Sequence, residues 1–248
     1  MISIKNIRRV FGKQQVLKGL SLEIPPGKIT TIVGQSGCGK SVLLKHVIGL
    51  LKPESGEVLI DGTDISKLTG AKLNDIRKKF GILFQGAALL DSMDVFENVA
   101  FPLREKTKLK KKEIEERVNR ELKNVGIVGM NAKYPAELSG GMKKRVGLAR
   151  ALIMQPEIVL FDEPTTGLDP IMKKAIHQLI YETQRRVGFA AVVVSHDIPD
   201  VFEISDYVAM MYGGTIIEQG TPDVFQTSMS PVVKQFLRGE IEGPLNIY

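Results

Sequence analysis

The eight residues GQSGCGKS, Gly34 to Ser41, constrain the chain more than any other stretch. Their spacing is that of a phosphate-binding loop, G-x-x-x-x-G-K-[ST]. The apolar run Ile29–Val33 before them reads as a strand buried on both faces. The run SVLLKHVIGLL after them reads as a helix that stops near Pro53. A glycine loop between such a strand and helix aims backbone amides and a helix N-terminus at a polyphosphate. Lys40 would reach the terminal phosphates, and Ser41 would offer its hydroxyl to Mg²⁺. The bland alternative, a glycine-rich turn, does not require Lys40 and Ser41 in this register.

Around this unit, strand and helix patterns alternate, which predicts an α/β fold built from parallel βαβ units. Ile158–Phe161 and Phe189–Val194 are further short apolar runs that read as doubly buried strands. The first sixty residues differ. SIKNI, VLKGLSLEI and EVLIDG are half-buried patterns with turn residues at Gly12, Pro25-Pro26-Gly27 and Ser55-Gly56, predicting an antiparallel β layer. From about residue 86 to 156 no strand signal is present, and Ile114, Val118, Leu122 and Val125 recur at helical spacing. The expected organisation is an α/β core over 1–85 and 157–238, a helical subdomain over 86–156, and a tail over 239–248.

The formal charge of +6 is modest and mixed in sign along the chain, so it does not demand a nucleic acid and fits a face toward anionic lipid equally well. Cys38 is the only cysteine, which excludes an intramolecular disulfide and favours a reducing compartment. The N-terminus has no signal-peptide core, and the longest apolar run, FAAVVV, is far below the roughly 20 residues of a membrane span. Service to a membrane would run through another protein. The lysine-rich stretch from Lys106 reads as a solvated helix start.

In IVLFDEP, buried strand residues deliver Asp162 and Glu163 to a strand's carboxyl end, where doubly wound sheets bind ligands. Asp162 is a candidate for Mg²⁺, and Glu163 for deprotonating the water that attacks a γ-phosphate. Two acids ending a strand could also simply cap the next helix. VVVSHD repeats the geometry and offers His196 to the γ-phosphate, whereas His46 and His177 lie in helical patterns and read as structural. Ser139-Gly140-Gly141 precedes a helical run and forms a second anion-accepting N-terminus. Cys38, next to Gly39-Lys40 at the first helix start, is expected to favour thiolate.

In order and spacing, the phosphate loop, LSGG, FDEP, TTGLD and His196 resemble those of ABC ATPases over nearly the whole chain. The resemblance implies a P-loop NTPase core with an N-terminal antiparallel β subdomain and an inserted helical subdomain, hydrolysing ATP with Mg²⁺. It implies that Phe11 stacks on adenine, that Gly34, Gln35, Ser36, Gly37, Cys38, Gly39, Lys40, Ser41 and Val42 line the nucleotide, and that Gln85 joins Ser41 and Asp162 beside the metal. It further implies a head-to-tail homodimer in which Ser139, Gly140 and Gly141 meet the γ-phosphate of the partner's site, with Asp169 in the shared seam. Met142 stands where the family commonly has Gln.

The string SGGMKKR, the segment GAALLDSMDVFENVAFPLRE and the ending FLRGEIEGP look like the ATPase of Mla and Mce-associated lipid transporters. That resemblance implies movement of phospholipid or a related lipid, a membrane permease, an Mce-type substrate-binding protein, and a place on the cytoplasmic face of the inner membrane. The alternatives are an ABC importer or exporter for another substrate, or a soluble ABC ATPase acting on DNA or ribosomes, which would carry two cassettes or a long coiled coil. Leu89, Leu90, Met93 and Phe96, beside Gln85, are expected to meet the permease. Ile241, Leu245, Ile247 and Tyr248 suggest that the tail docks, either on its own subunit or across to a partner ATPase.

Overall fold

A computed structural model describes residues 1–245. In chain order the elements are β1 (Ile2–Phe11), β2 (Gln14–Ile24), β3 (Ile29–Val33), α1 (Lys40–Val47), β4 (Ser55–Ile60), β5 (Thr63–Asp64), α2 (Gly70–Arg77), β6 (Phe80–Leu83), α3 (Val95–Lys106), α4 (Lys111–Asn124), α5 (Gly140–Leu152), β7 (Ile158–Asp162), α6 (Pro170–Val187), β8 (Ala190–Val194), β9 (Tyr207–Tyr212), β10 (Thr215–Gly220), α7 (Pro222–Gln226) and α8 (Pro231–Arg238). They form two compact units, one of Met1–Arg77 with the chain from Ala190 onward, the other of Lys78–Phe189.

The first unit holds two layers. β1 pairs antiparallel with β2 and with β4, giving the order β2-β1-β4-β5. Ile2, Ile4, Ile7, Leu17, Leu20, Leu22 and Ile24 are buried on the inward face, as half-buried alternation requires. Ser55 and Gly56, expected in a turn, instead begin β4, where β1 shifts register between Lys5 and Arg8. The second layer runs β10-β9-β3-β8. β3 is parallel to both β8 and β9, with Thr31 opposite Val193 on one side and Val208 on the other. Every residue of β3 and β8 is buried, so both faces are covered and no polar alternation is needed. α1 ends at Val47, short of Pro53, because Gly49 takes φ +66 and the N–H groups of Leu50 and Leu51 both turn back to the carbonyl of Lys45.

In the second unit β6 and β7 are parallel, with Gly81 opposite Val159 and Leu83 opposite Phe161. Three helices here start at side-chain caps. Asp94 accepts from Glu97 N–H at 2.7 Å, Ser139 from Met142 N–H at 3.3 Å, and Asp169 from Ile171 and Met172 N–H at 3.0 Å. Ile114, Val118 and Leu122 form the buried stripe of α4, while Lys106, Lys108, Lys110, Lys111 and Lys112 are exposed. Among the described residues no strand lies between β6 and β7.

Candidate active site

The loop between β3 and α1 has three glycines, and at two of them a side chain would prevent its tight wrapping. Gly34 has φ +151, and a Cβ there would collide with the Met211 carbonyl. Gly39 has φ +107, and a Cβ would lie 2.9 Å from Val16 Cγ1 and from Met211 Cε. Lys40 is buried, and its Nζ donates to the Gly34 carbonyl at 2.7 Å and the Gln35 carbonyl at 2.9 Å, so the ammonium is held over the loop. Ser41 is exposed in the first turn of α1, and Val42 is half-buried beside it. Gly34, Gln35, Ser36 and His196 line one cavity of about 430 Å³, together with Gln235 and Leu245 from the end of the chain. His196 is exposed beyond the end of β8, its Nε2 4.0 Å from Asp197 Oδ1. Phe11 is exposed at the end of β1, with the Arg9 guanidinium 4.8 Å from its ring centroid.

Cys38 corrects the expectation of a thiolate. Burial pushes its thiol above the ordinary range, outweighing the nearby Lys40 ammonium and the backbone hydrogen bonds, which act the other way. His46 and His177 are both buried within helices. His46 Nδ1 contacts the Val42 carbonyl oxygen at 2.8 Å, and burial lowers the imidazole pKa.

In the second unit Asp162 ends β7 half-buried, and Glu163 follows at φ +52, a left-handed conformation uncommon for a residue with a side chain. The Thr166 hydroxyl donates to Glu163 Oε2 at 2.8 Å and orients the carboxylate. The side chain of Asp169 caps α6. Gly140 is exposed and Gly141 is buried, where a Cβ would run into Met172 Cε. Gln85, just past β6, is exposed. A hydroxyl, an amide oxygen and a carboxylate from Ser41, Gln85 and Asp162 are hard oxygen donors, the type Mg²⁺ takes.

Three groups escape a reading of the sequence. Lys144 on α5 is 5% exposed and donates to the Gln85 carbonyl and, at 3.4 Å, to the Glu163 carbonyl. Burial pushes its ammonium below the usual lysine range, opposed by the charges of Glu163 and Asp162. Arg150 donates to the carbonyls of Ala87 at 2.7 Å and Ala88 at 2.8 Å, fixing two residues at φ +60 and +47 just beyond Gln85. The third is Thr166. The one signal for the two cations is their place three residues on either side of the small residue Gly147, in a helix that also carries Lys143 and Arg145.

The profile of the ABC transporter family matches residues 17–166, spanning the phosphate loop, LSGG, Asp162 and Glu163. The chain belongs to the ABC transporter family. It is an ATP-binding cassette ATPase of α/β fold. Among curated relatives it is 43% identical over 246 residues to the "Probable ribonucleotide transport ATP-binding protein mkl" of Mycobacterium leprae, covering 99% of this cassette and 71% of that protein. It is 42% identical over 245 residues to the "Intermembrane phospholipid transport system ATP-binding protein MlaF" of Haemophilus influenzae, covering 99% and 93%. Among solved structures, the dimeric post-hydrolysis state of the cassette MJ0796 bound to ADP and Pi matches with TM-score 0.81 and 32% identity over 90% of this cassette and 99% of that chain. CbiO1 from Clostridium perfringens, part of the ABC transporter complex CbiONQ, matches with TM-score 0.85 and 34% identity over 96% and 94%. No helix among the cassette's described residues is long and apolar enough to cross a membrane.

Proposed function

We propose that this cassette is the ATP-hydrolysing subunit of a phospholipid transporter, working as a head-to-tail homodimer on the cytoplasmic face of an inner membrane beneath a permease and an Mce-type substrate-binding protein. The observation that carries the hydrolytic part is Glu163, a carboxylate at a strand end in a left-handed backbone, oriented by Thr166. Support for the lipid part comes from the 42% identity over 99% of the chain to a phospholipid transport ATP-binding protein.

In this reading Phe11 stacks on adenine, the loop amides from Gly34 to Ser41 bind the phosphates, and Lys40 pairs with the terminal ones. Ser41, Gln85 and Asp162 would hold Mg²⁺, which neutralises phosphate charge when bound. Glu163 takes the proton of the attacking water, and His196 donates toward the γ-phosphate. Ser139, Gly140 and Gly141 present a helix N-terminus to the γ-phosphate bound by the partner subunit. An apolar recess of about 340 Å³, lined among others by Phe84, Leu90, Phe101 and Arg150, is suited to an inserted permease helix.

The test is Glu163→Gln in proteoliposomes that contain the assembled transporter and a fluorescent phospholipid. ATP affinity should persist while hydrolysis and lipid transfer fall together by at least about 10²-fold. Near wild-type hydrolysis would remove Glu163 from its role. Hydrolysis that is lost while lipid transfer in the wild type never exceeds the ATP-free level would remove the lipid assignment.

A further inference from the structure

α5 approaches the segment after β6 unusually closely. Gly147 makes this possible, because a Cβ there would lie 2.8 Å from Leu83 Cδ1 and 3.2 Å from Ala87 Cβ. Lys144, Gly147 and Ala151 fall at i, i+3 and i+7 and so share one face of the helix. On that face Lys144 is buried where every neighbour by sequence pattern is apolar or small. A buried ammonium is costly, and it is retained only when its donors are used. Here they reach two backbone carbonyls 78 residues apart, those of Gln85 and Glu163.

Both carbonyls belong to residues whose side chains are proposed to serve the reaction. The Glu163 peptide is the more demanding of the two. Its φ of +52 persists only if the surroundings hold it, and Lys144 donates to its carbonyl while Thr166 holds its carboxylate. Lys144 also lies between one and two turns from Ser139, the N-cap of α5, so the same helix carries the signature residues Ser139, Gly140 and Gly141 at its start and the ammonium on its flank.

We propose that Lys144 is a positioning residue for hydrolysis, a single buried ammonium that ties the backbone of Gln85 to the backbone of Glu163 and so sets both side chains from the signature helix. Its part is to act through Glu163, whose carbonyl it holds. The inference rests on the reading of Glu163 as the base.

The experiment is a double-mutant cycle on the full chain, with ATP binding and single-turnover hydrolysis measured for each protein. Lys144→Met, which keeps length and removes the donors, should slow hydrolysis by about 10- to 100-fold with ATP affinity within about twofold, the cost usual for losing a group that orients a reacting one. Lys144→Arg, which keeps donors and charge, should recover part of that rate. In a Glu163→Gln background, Lys144→Met should slow hydrolysis no further. If Glu163→Gln alone hydrolyses normally, the reading of Glu163 fails. If Glu163→Gln is slow but Lys144→Met is within twofold of wild type, or the two losses multiply, the positioning role is overturned. Should Lys144→Met not fold, Lys144→Arg decides, since wild-type ATP affinity with partial hydrolysis supports the role and parallel loss of both overturns it.

Discussion

The side-chain oxygen of Gln235 accepts a hydrogen bond from the backbone N–H of Leu245 at 2.7 Å, shielded from solvent. From the other end of the amide, Nε2 donates to the carbonyls of Glu240 at 3.2 Å and Ile241 at 3.3 Å, and the Tyr212 hydroxyl donates to the Pro244 carbonyl at 3.2 Å. The described part of the tail therefore docks on its own chain, with Leu245 5% exposed and Ile241 left 75% exposed. Ile247 and Tyr248, also expected to dock, lie outside the described residues.

Removing this clamp should lower the thermal stability of the chain. Gln235→Ala leaves several backbone groups without their partner, which at about 1–3 kcal/mol and about 2–4 °C per kcal/mol lowers Tm by about 2–12 °C. Truncation after Gly239 should have a similar effect, and Gln235→Ala should cost little more in the truncated chain. Thermal unfolding of the four proteins measures it. An unchanged Tm for Gln235→Ala would show that the tail is held by something else.

Cys38 should be a poor nucleophile in the folded protein. Burial raises the pKa of its thiol, so reaction with a maleimide at pH 7 should be slower than for the denatured chain. The rate should climb steadily as pH rises toward the raised pKa, with no plateau near neutrality. Labelling at pH 7 that matches the denatured chain would mean that Lys40 outweighs burial after all.

The apolar recess in the second unit should be separable from nucleotide binding. Phe84, Leu90 and Phe101 are 43%, 39% and 39% exposed, while Leu89, Met93 and Phe96 are half-buried and contribute partly to the core. Leu90→Glu or Phe101→Glu should bind ATP normally and lose assembly with a permease. Arg150→Met should do the same more mildly, since it frees the carbonyls that hold Ala87 and Ala88 in their left-handed backbone. Co-purification at wild-type yield for Leu90→Glu and Phe101→Glu would exclude the recess as the docking site.

The chain declares its phosphate loop, its carboxylate pair and its buried strands because each depends on near neighbours in sequence. Ile29–Val33 needs only to be apolar and to precede glycines, and Ser139 needs only to precede a helix. β6, β9 and β10 are harder to read. Phe80–Leu83 is four residues long, and its strand character comes from pairing with Ile158–Phe161, far along the chain. Lys144 and Arg150 are hidden for the same reason. Each is a cation on a helix whose carbonyl partners lie elsewhere along the chain, Gln85 and Glu163 for Lys144 and Ala87 and Ala88 for Arg150, and nothing local separates it from a solvated lysine or arginine. The thiolate expected at Cys38 fails for a different reason. Sequence proximity to Lys40 reveals the attractive charge, but the larger cost of burial depends on side chains that fold over the loop from elsewhere.

Lys40 offers the clearest separation of binding from chemistry. Its buried Nζ spends two donors on the carbonyls of Gly34 and Gln35, which aims the charge along the loop. A charge-assisted hydrogen bond contributes about 1.5–3 kcal/mol, so Lys40→Ala should weaken ATP binding by about 10- to 150-fold for each phosphate hydrogen bond it removes. Without the two carbonyl bonds the loop also loosens, and the nucleotide-free Tm should fall slightly. The larger change should be in the response to ligand, because a saturating nucleotide raises the Tm of the wild type by mass action and should scarcely move that of the variant. Glu163→Gln should behave oppositely, with a full ATP-induced rise in Tm and almost no turnover. Titration calorimetry together with thermal unfolding distinguishes the two patterns, and a Lys40→Ala protein that binds ATP with wild-type affinity would remove this lysine from the phosphate site.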